Sequence, residues 1–372
     1  MKVLQIGSDR SIFDSDGASA LRMRAYGKRF GELEMIIFSL RVHQMREARL
    51  SEHACAQATD SYFRFLYVWD AVLLALKLPK PDVVSVQDPF EAGITGWIVA
   101  RCRRIPLHVQ VHTDFLSPEY VQHSFLNWIR VLIAGFVLRR ASRIRVVSER
   151  IKTSLEKKYN LRVPVAVLPI FVDVELFRNA KAEENLAKRF TEFKNKLLVV
   201  SRLEPEKNTA LAVRAFAKSA PKDSCLIIVG EGRERARLVR LAQERGVSNR
   251  VFFEGAQAPI KYYKLANLVL APSLYEGYGM VIVEALASGI PVLSTDVGIA
   301  REAGAAIASR EKFPEALGEW FKNRPSTGES ADFVARPAAT TGGPPEGVLS
   351  NYPYKNFEEY VEAYCDDIKN SV

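Results

Sequence analysis

The chain is expected to fold as an α/β protein of two doubly wound, Rossmann-like domains. Three observations lead there. Short apolar runs alternate with longer helix-patterned segments along the whole sequence. The alternation pauses near Pro169–Phe177 and then restarts. The length, 372 residues, accommodates two ordinary domains. Strands alternating with helices specify parallel sheets.

In the first half, Val3–Ile6 reads as a strand, Ser19–Phe30 as a helix and Met35–Ser39 as a second strand. Val83–Val86 follows as a strand, Gly93–Arg104 as a helix with a basic end, and Leu107–Val111 as a strand. The apolar segment Phe125–Arg140 reads as a buried helix rather than one lying on a membrane surface. Strands at Arg143–Val147 and Val165–Leu168 complete this domain, placed at residues 1–170. The second domain, residues 171–355, opens with the polar, helix-prone stretch Ala180–Lys194 and the strand Lys196–Val200. NTALAVRAFAKSA, RERARLVRLAQERG and IKYYKLANL are its helices; CLIIVG, RVFFEG, LVLAPS and PVLSTD are its further strands. Glycine and proline are dense over residues 324–353, which read as a mobile loop. The last helix, about Asn356–Lys369 within the terminal segment 356–372, is expected to cross back onto the first domain.

Composition narrows the function classes. Hydrophobic residues make up 48% and charged residues 26%, the balance of a soluble globular chain. MKVLQIG is too short an apolar run for a signal-peptide core. The block Val131–Leu138 falls well short of the roughly 20 residues that a bilayer requires. The cysteines, Cys55, Cys102, Cys225 and Cys365, are widely spaced, without metal or redox spacing, which suits a reducing cytoplasm. The net charge of +9 is uneven. Residues 1–180 carry 26 Lys and Arg against 18 Asp and Glu, and the remainder carries 26 against 25. A nucleic acid, an anionic membrane face, a phosphorylated substrate or a merely solvated basic surface would each account for the excess. No interleaving of aromatic and basic residues supports nucleic acid.

Ligands of open α/β sheets bind at the carboxyl ends of strands. In the second domain, four successive strand ends deliver Arg202 and Lys207, then the turn at Gly230, then Glu276, then Glu302. Gly277 and Gly279 permit close approach of backbone to a ligand, and the helix that starts near Gly279 offers unpaired N–H groups and a positive dipole end. Two cations beside that end could neutralise a diphosphate. Glu284 stands among Met280, Val281, Ile282, Val283, Ala285, Leu286 and Ala287, where a carboxylate needs a partner. Hydroxyls of a bound ligand, most simply a ribose, are the expected one. No pair of aspartates is placed to hold a metal on a diphosphate, so no metal is expected.

The segments SRL…EKN, VGEGRERARL, APSLYEGYGMVIVEALASGIPVLSTDVG and ARE resemble glycosyltransferase family 4, whose members are retaining enzymes of the two-domain GT-B fold with a cleft between the domains. LPIFVDVELF, Leu168–Phe177, is similar to the family's interdomain segment. The resemblance implies that Arg202 and Lys207 stabilise the donor diphosphate, that Glu276 holds donor-sugar hydroxyls and that Glu284 holds the nucleotide ribose. It places the backbone of Tyr278, Gly279, Met280 and Val281 around the transferred sugar and phosphates. Gly17 falls in the loop facing donor and acceptor, as one glycine where relatives often have two, and His112 falls near the donor sugar. Ile299 replaces a glycine usual in the family. Retention is generally attributed to same-face attack, with the leaving phosphate taking the acceptor proton. The implied substrates are a UDP- or GDP-sugar and a glycan or lipid-linked acceptor held by the first domain, with no cofactor.

Other readings stay open. Glu276 and Glu284 could cap and brace the core, and Arg202 and Lys207 could line a solvated loop. His112 could be a satisfied strand-end histidine, since His108 and Gln110 alternate with it on one strand face. Gly17 could mark a plain turn. Asp114 could position His112 or cap the next helix. A sugar-nucleotide epimerase, a phosphorylase and a catalytically idle anion- or lipid-binding relative are the competing functions. The leading expectation is a metal-independent hexosyltransferase of the cytoplasm, attached peripherally to the inner membrane face.

Overall fold

The computed structural model describes residues 1–323 and 352–372. The segment expected to be a mobile loop, 324–353, lies outside the described residues up to residue 351. The chain divides into two compact units, Met1–Phe171 with Tyr354–Val372, and Val172–Pro353.

The first unit runs β1 (Lys2–Gly7), α1 (Ala18–Phe30), β2 (Glu32–Ile37), β3 (Glu47–Ser51), β4 (Ala54–Ala58), α2 (Tyr67–Lys77), β5 (Val83–Val86), α3 (Glu91–Arg103), β6 (Leu107–Val111), α4 (Pro118–His123), α5 (Phe125–Leu138), β7 (Arg143–Val146), α6 (Glu149–Tyr159) and β8 (Val165–Val167). Its strands form one sheet in the order β3-β4-β2-β1-β5-β6-β7-β8, parallel except for the β3–β4 pair. Continuous apolar runs such as VVSV in β5 are buried throughout, as strands covered on both faces must be. α1 buries Ala20, Met23, Gly27 and Phe30, a stripe at helical spacing. Ser117, Ser124 and Ser148 cap α4, α5 and α6 by accepting backbone N–H bonds.

The second unit runs α7 (Val174–Asn179), α8 (Glu184–Lys188), β9 (Asn195–Val200), α9 (Thr209–Ser219), β10 (Ser224–Val229), α10 (Arg235–Glu244), β11 (Val251–Gly255), α11 (Ile260–Tyr263), β12 (Leu268–Ala271), α12 (Met280–Ala287), β13 (Val292–Ser294), β14 (Ala306–Ile307) and α13 (Phe313–Lys322). Its sheet is fully parallel, ordered β11-β10-β9-β12-β13-β14. Leu197, Leu226, Ile228 and Leu268 on the strands meet Val213 and Phe216 of α9 and Leu317 and Trp320 of α13 in one core.

The last helix, α14 (Phe357–Lys369), belongs to the first unit although it follows the second in sequence. Asn356 caps it through Glu359 N–H at 2.9 Å. Tyr364 stacks on Tyr26 of α1 with ring centroids 4.1 Å apart, and the Tyr26 hydroxyl donates to that of Tyr360 at 3.1 Å.

Three local readings change. The stretch Ala180–Lys194 is helical only over α8. The strand expected at Met35–Ser39 is β2, three residues earlier at its start and two shorter at its end. The apolar helix α5 is not simply buried. Its C-terminal half, with Ala134, Val137 and Leu138, is covered, but Phe125, Trp128 and Leu132 recur at i, i+3 and i+7 as an exposed stripe. Trp69, Leu73 and Leu76 form a similar exposed stripe on α2, and both helices pack on α3.

Candidate active site

The strand order of the second sheet reverses between β9 and β12. β10 and β11 lie to one side, and β13 and β14 to the other. Loops leaving the carboxyl ends at such a reversal diverge and open a crevice. The loop after β9 carries Arg202 and Lys207, and the loop after β12 carries Ser273 and Glu276. They meet there: Lys207 Nζ donates to Glu276 Oε1 at 2.6 Å, and Ser273 Oγ donates to the same oxygen at 2.8 Å. The two loops are also tied through backbone, Leu274 N–H donating to Glu206 O at 2.8 Å. Lys207 and Glu276 are both about four-fifths covered. Arg202 is 72% exposed and pairs with Glu206 at 3.2 Å. Lys207 and Glu276 are thus in direct contact, and Arg202 is tied to the same two loops through Glu206. Glu302, from the loop beyond β13, is exposed.

Gly279 caps α12 at φ +96°, a conformation in which a side chain would be strained. The first-turn N–H groups behind it, those of Met280 and Val281, precede the first intrahelical acceptor. Met280 is 37% exposed, and Val281 is half-buried. Tyr278 is buried, and its carbonyl accepts from Ile299 N–H at 2.9 Å. Ile299 is itself buried, so the residue that departs from the family pattern is used for packing. Gly230 has φ +135°, and a Cβ there would lie 1.9 Å from the Ser201 carbonyl oxygen. Close approach of two protein backbones accounts for that glycine.

Glu284 has a protein partner as well as any ligand. The Tyr263 hydroxyl, on α11, donates to Glu284 Oε2 at 2.6 Å. Burial pushes the Glu284 carboxyl above its ordinary range against the opposing effect of that bond. Burial, reinforced by Glu284, holds the Tyr263 hydroxyl well above the usual phenol range. Tyr263 escaped the sequence reading because it sits 21 residues upstream on another element.

Two expected site residues lie in the first unit. Gly17 is the N-cap of α1 with ordinary extended backbone, and its N–H donates to Asp14 O at 3.0 Å. His112 ends β6. Its Nε2 faces Gln110 Oε1 at 3.2 Å, and burial, then the charges of Arg145 and Arg22, push its pKa down to about 3. The ring is neutral at physiological pH. The polar face of β6 is a network: Gln110 also bonds Arg145, Ser85 and Tyr364, and His108 bonds Asp367 of α14 at 3.0 Å. Asp114 takes neither role foreseen for it, since Ser117 caps α4 and His112 turns to Gln110. Among the described residues, no three His, Cys, Asp or Glu side chains gather as a metal cluster.

Two family profiles cover most of the chain, "Glycosyltransferase Family 4" over residues 35–176 and "Glycosyl transferases group 1" over residues 181–307. The chain belongs to glycosyltransferase family 4. Within the family, it is 40% identical over 235 residues to D-inositol 3-phosphate glycosyltransferase of Nocardia farcinica, a match covering 56% of this chain and 50% of that one. It is 28% identical over 238 residues to alpha-monoglucosyldiacylglycerol synthase of Streptococcus pneumoniae, covering 59% and 54%. The matches thus span about half the length of these curated relatives. The fold is that of HepE from Anabaena, solved in complex with UDP-glucose, with a TM-score of 0.73, 19% identity and full coverage of both chains. The family 4 fold places Lys207, Glu276 and Glu284 on the strand-end rim of the second unit, and His112 and Gly17 in the first.

Proposed function

We propose that the chain is a retaining glycosyltransferase that moves a hexose from a UDP- or GDP-sugar to a hydroxyl of a glycan or lipid-linked acceptor. The observation that carries this is the Lys207–Glu276–Ser273 cluster at the β9/β12 reversal, with Glu284 one turn into α12. The bond from the anomeric carbon to the diphosphate oxygen breaks, and a bond from the acceptor oxygen to that carbon forms. The acceptor proton passes to the departing phosphate. Negative charge grows on that phosphate as the bond breaks. Lys207, Arg202 and the N-terminal end of α12 supply positive charge for it, so no metal is needed. Glu276 and Glu284 accept hydroxyl bonds from sugar and ribose. The intact set of charged residues favours catalysis over an idle binding relative. An epimerase would need a different set of carboxylates, and a phosphorylase is usually a much longer chain.

A ligand that binds only the folded state raises its melting temperature. UDP- or GDP-sugars are therefore expected to raise Tm, and sugar transfer is expected to continue in EDTA. Transfer abolished by EDTA and restored by Mg²⁺ would remove the diphosphate role from Arg202 and Lys207. The absence of any shift across UDP-, GDP- and ADP-sugars would remove the function.

The acceptor side of the proposal is a cytoplasmic membrane face. Among the described residues no helix is long and apolar enough to cross a membrane. Support for attachment comes from the exposed stripes of α2 and α5, which carry Trp69 and Trp128, together with the basic excess of residues 1–180. The name of the Streptococcus pneumoniae relative likewise specifies a diacylglycerol glycolipid. The chain should float with anionic vesicles and lose most of that binding in about 0.5 M NaCl, where charges more than a few ångströms apart are screened. Trp69→Ser with Trp128→Ser should weaken flotation further. Equal recovery with neutral and anionic vesicles would leave a soluble acceptor as the better reading.

A further inference from the structure

Two stretches of the first unit, Ala92–Thr113 and Tyr120–Ser148, contain no Asp or Glu, yet they carry eight arginines. Six of these arginines have partners. Arg130 bonds Glu91, Arg143 bonds Asp367 and Arg145 bonds Gln110. Arg103 donates to the carbonyls of Leu76 and Leu78 at the end of α2. Arg139 and Arg140 donate to the carbonyls of Gly135 and Phe136 near the end of α5. Those three supply the positive charge that the carboxyl ends of helices attract. The guanidinium groups of Arg101 and Arg104 are different. Both side chains are exposed, and neither group makes a hydrogen bond or ion pair among the described residues.

These two arginines border a cavity. Trp97, Ala100, Arg101 and Arg104 recur at i, i+3, i+4 and i+7 along α3 and its end, so they share one face. That face lines an open cavity of about 450 Å³ beside the amino ends of β6 and β7, at the opposite end of β6 from His112. The volume is within the usual span of small-molecule sites. Ile105 adds to its apolar lining, and Arg140 brings a third cation. Arg140 is held in place: its guanidinium lies 3.7 Å from the centroid of the Phe136 ring, which Trp97 meets edge-on at 4.8 Å. Arg104 follows the helix at φ 54° and ψ 58°, the left-handed position where glycine is usual. An arginine is thus retained there against its steric preference.

We propose that this cavity is a binding site for a phosphate monoester that carries an apolar body. Each guanidinium presents a fork of donors matched to phosphate oxygens, and three of them suit a dianion. Trp97, Ala100 and Ile105 suit the apolar part. The site stands independently of the sugar-transfer reading. A soluble ester and the head group of a monoester phospholipid share this chemistry.

Two measurements on the full chain separate these sources: calorimetric titration with phenyl phosphate, and flotation with phosphatidylcholine vesicles containing phosphatidic acid. Arg104→Gly relieves the left-handed strain, so the variant should melt no lower than wild type. Combined with Arg101→Gln, it should weaken phenyl phosphate binding at least about tenfold, the equivalent of one lost charge-assisted bond. Lys207→Ala should leave that binding unchanged. Inorganic phosphate should bind about tenfold more weakly than phenyl phosphate, because it forgoes the aromatic contact. Equal binding of the two would overturn the apolar part. If phenyl phosphate does not bind, the lipid source requires that the double variant lose flotation on phosphatidic acid but not on equally charged phosphatidylglycerol. Phenyl phosphate bound equally by wild type and the double variant would overturn the proposal. So would no binding together with equal flotation changes on the two lipids.

Discussion

Lys207→Ala is expected to lower kcat for sugar transfer by about 10²–10³, the loss typical of one donor aimed at charge that develops in the transition state. Its ammonium has little freedom: it lies 2.6 Å from Glu276 Oε1 and is largely covered. Removing it deletes positive charge beside the leaving diphosphate and leaves Glu276 with Ser273 as its remaining side-chain donor. Both effects act on the same step, so kcat should fall more than KM rises. Arg202→Ala should cost a similar factor. The guanidinium is mostly exposed and bonds Glu206 four residues along, an exchangeable surface pair that it can leave for a phosphate at little cost. Steady-state kinetics with circular dichroism as a check on folding decides the matter. Near-normal turnover in both variants would mean that the diphosphate is neutralised elsewhere.

Glu284→Gln should separate stability from function. Burial raises the pKa of this carboxyl in the folded chain above its ordinary value. A group with a raised folded pKa favours folding at low pH, and that contribution is lost as pH rises through the folded pKa. At pH 8 the ligand-free wild type therefore holds a charge that the folded state disfavours. Glutamine keeps an acceptor for Tyr263 and removes the charge. The ligand-free variant should gain about 1 kcal/mol, or about 2–4 °C in Tm for a unit of this size. That advantage should shrink as pH is lowered into the carboxylate range, where wild type is neutralised. Donor binding should weaken over the same series, because a carboxylate accepts hydroxyl bonds more strongly than an amide. A variant less stable than wild type at pH 8 would show that Tyr263 fully compensates the charge.

Much of this was legible in the chain because both sheets are built from buried parallel strands. Runs such as VVSV and CLIIV announce themselves by apolarity alone, and the four strand ends of the second unit line up with their polar residues from the sequence itself. The hairpin β3–β4 could not. EARLS, at the sheet edge, and ACAQA beside it are short strands, rich in alanine and charge, with little β-propensity. Helix α2 was missed for a different reason: its apolar stripe is exposed, so the pattern does not end in a core. Partners separated in sequence were equally invisible. Tyr263 stands 21 residues from Glu284, and Asp367 stands 259 residues from His108. Nothing local to either member of these pairs specifies the other. Only the sheet order and the return of α14 bring them together.

That return sets a timetable for synthesis. The eight strands of the first unit have all left the ribosome by Val167, but α14 begins at Phe357. At about 5–20 residues per second, translation leaves the first unit without it for about 10–40 s. During that interval Gln110, His108 and the guanidinium of Arg145 face whatever is at hand, with no Tyr364 or Asp367 to meet them. The second unit, continuous from Val172 to Pro353, can complete its own sheet in the meantime. The half of the molecule made first is thus the half finished last. A stop codon introduced just before Asn356 should therefore yield a soluble second unit attached to an unfolded, protease-sensitive first one.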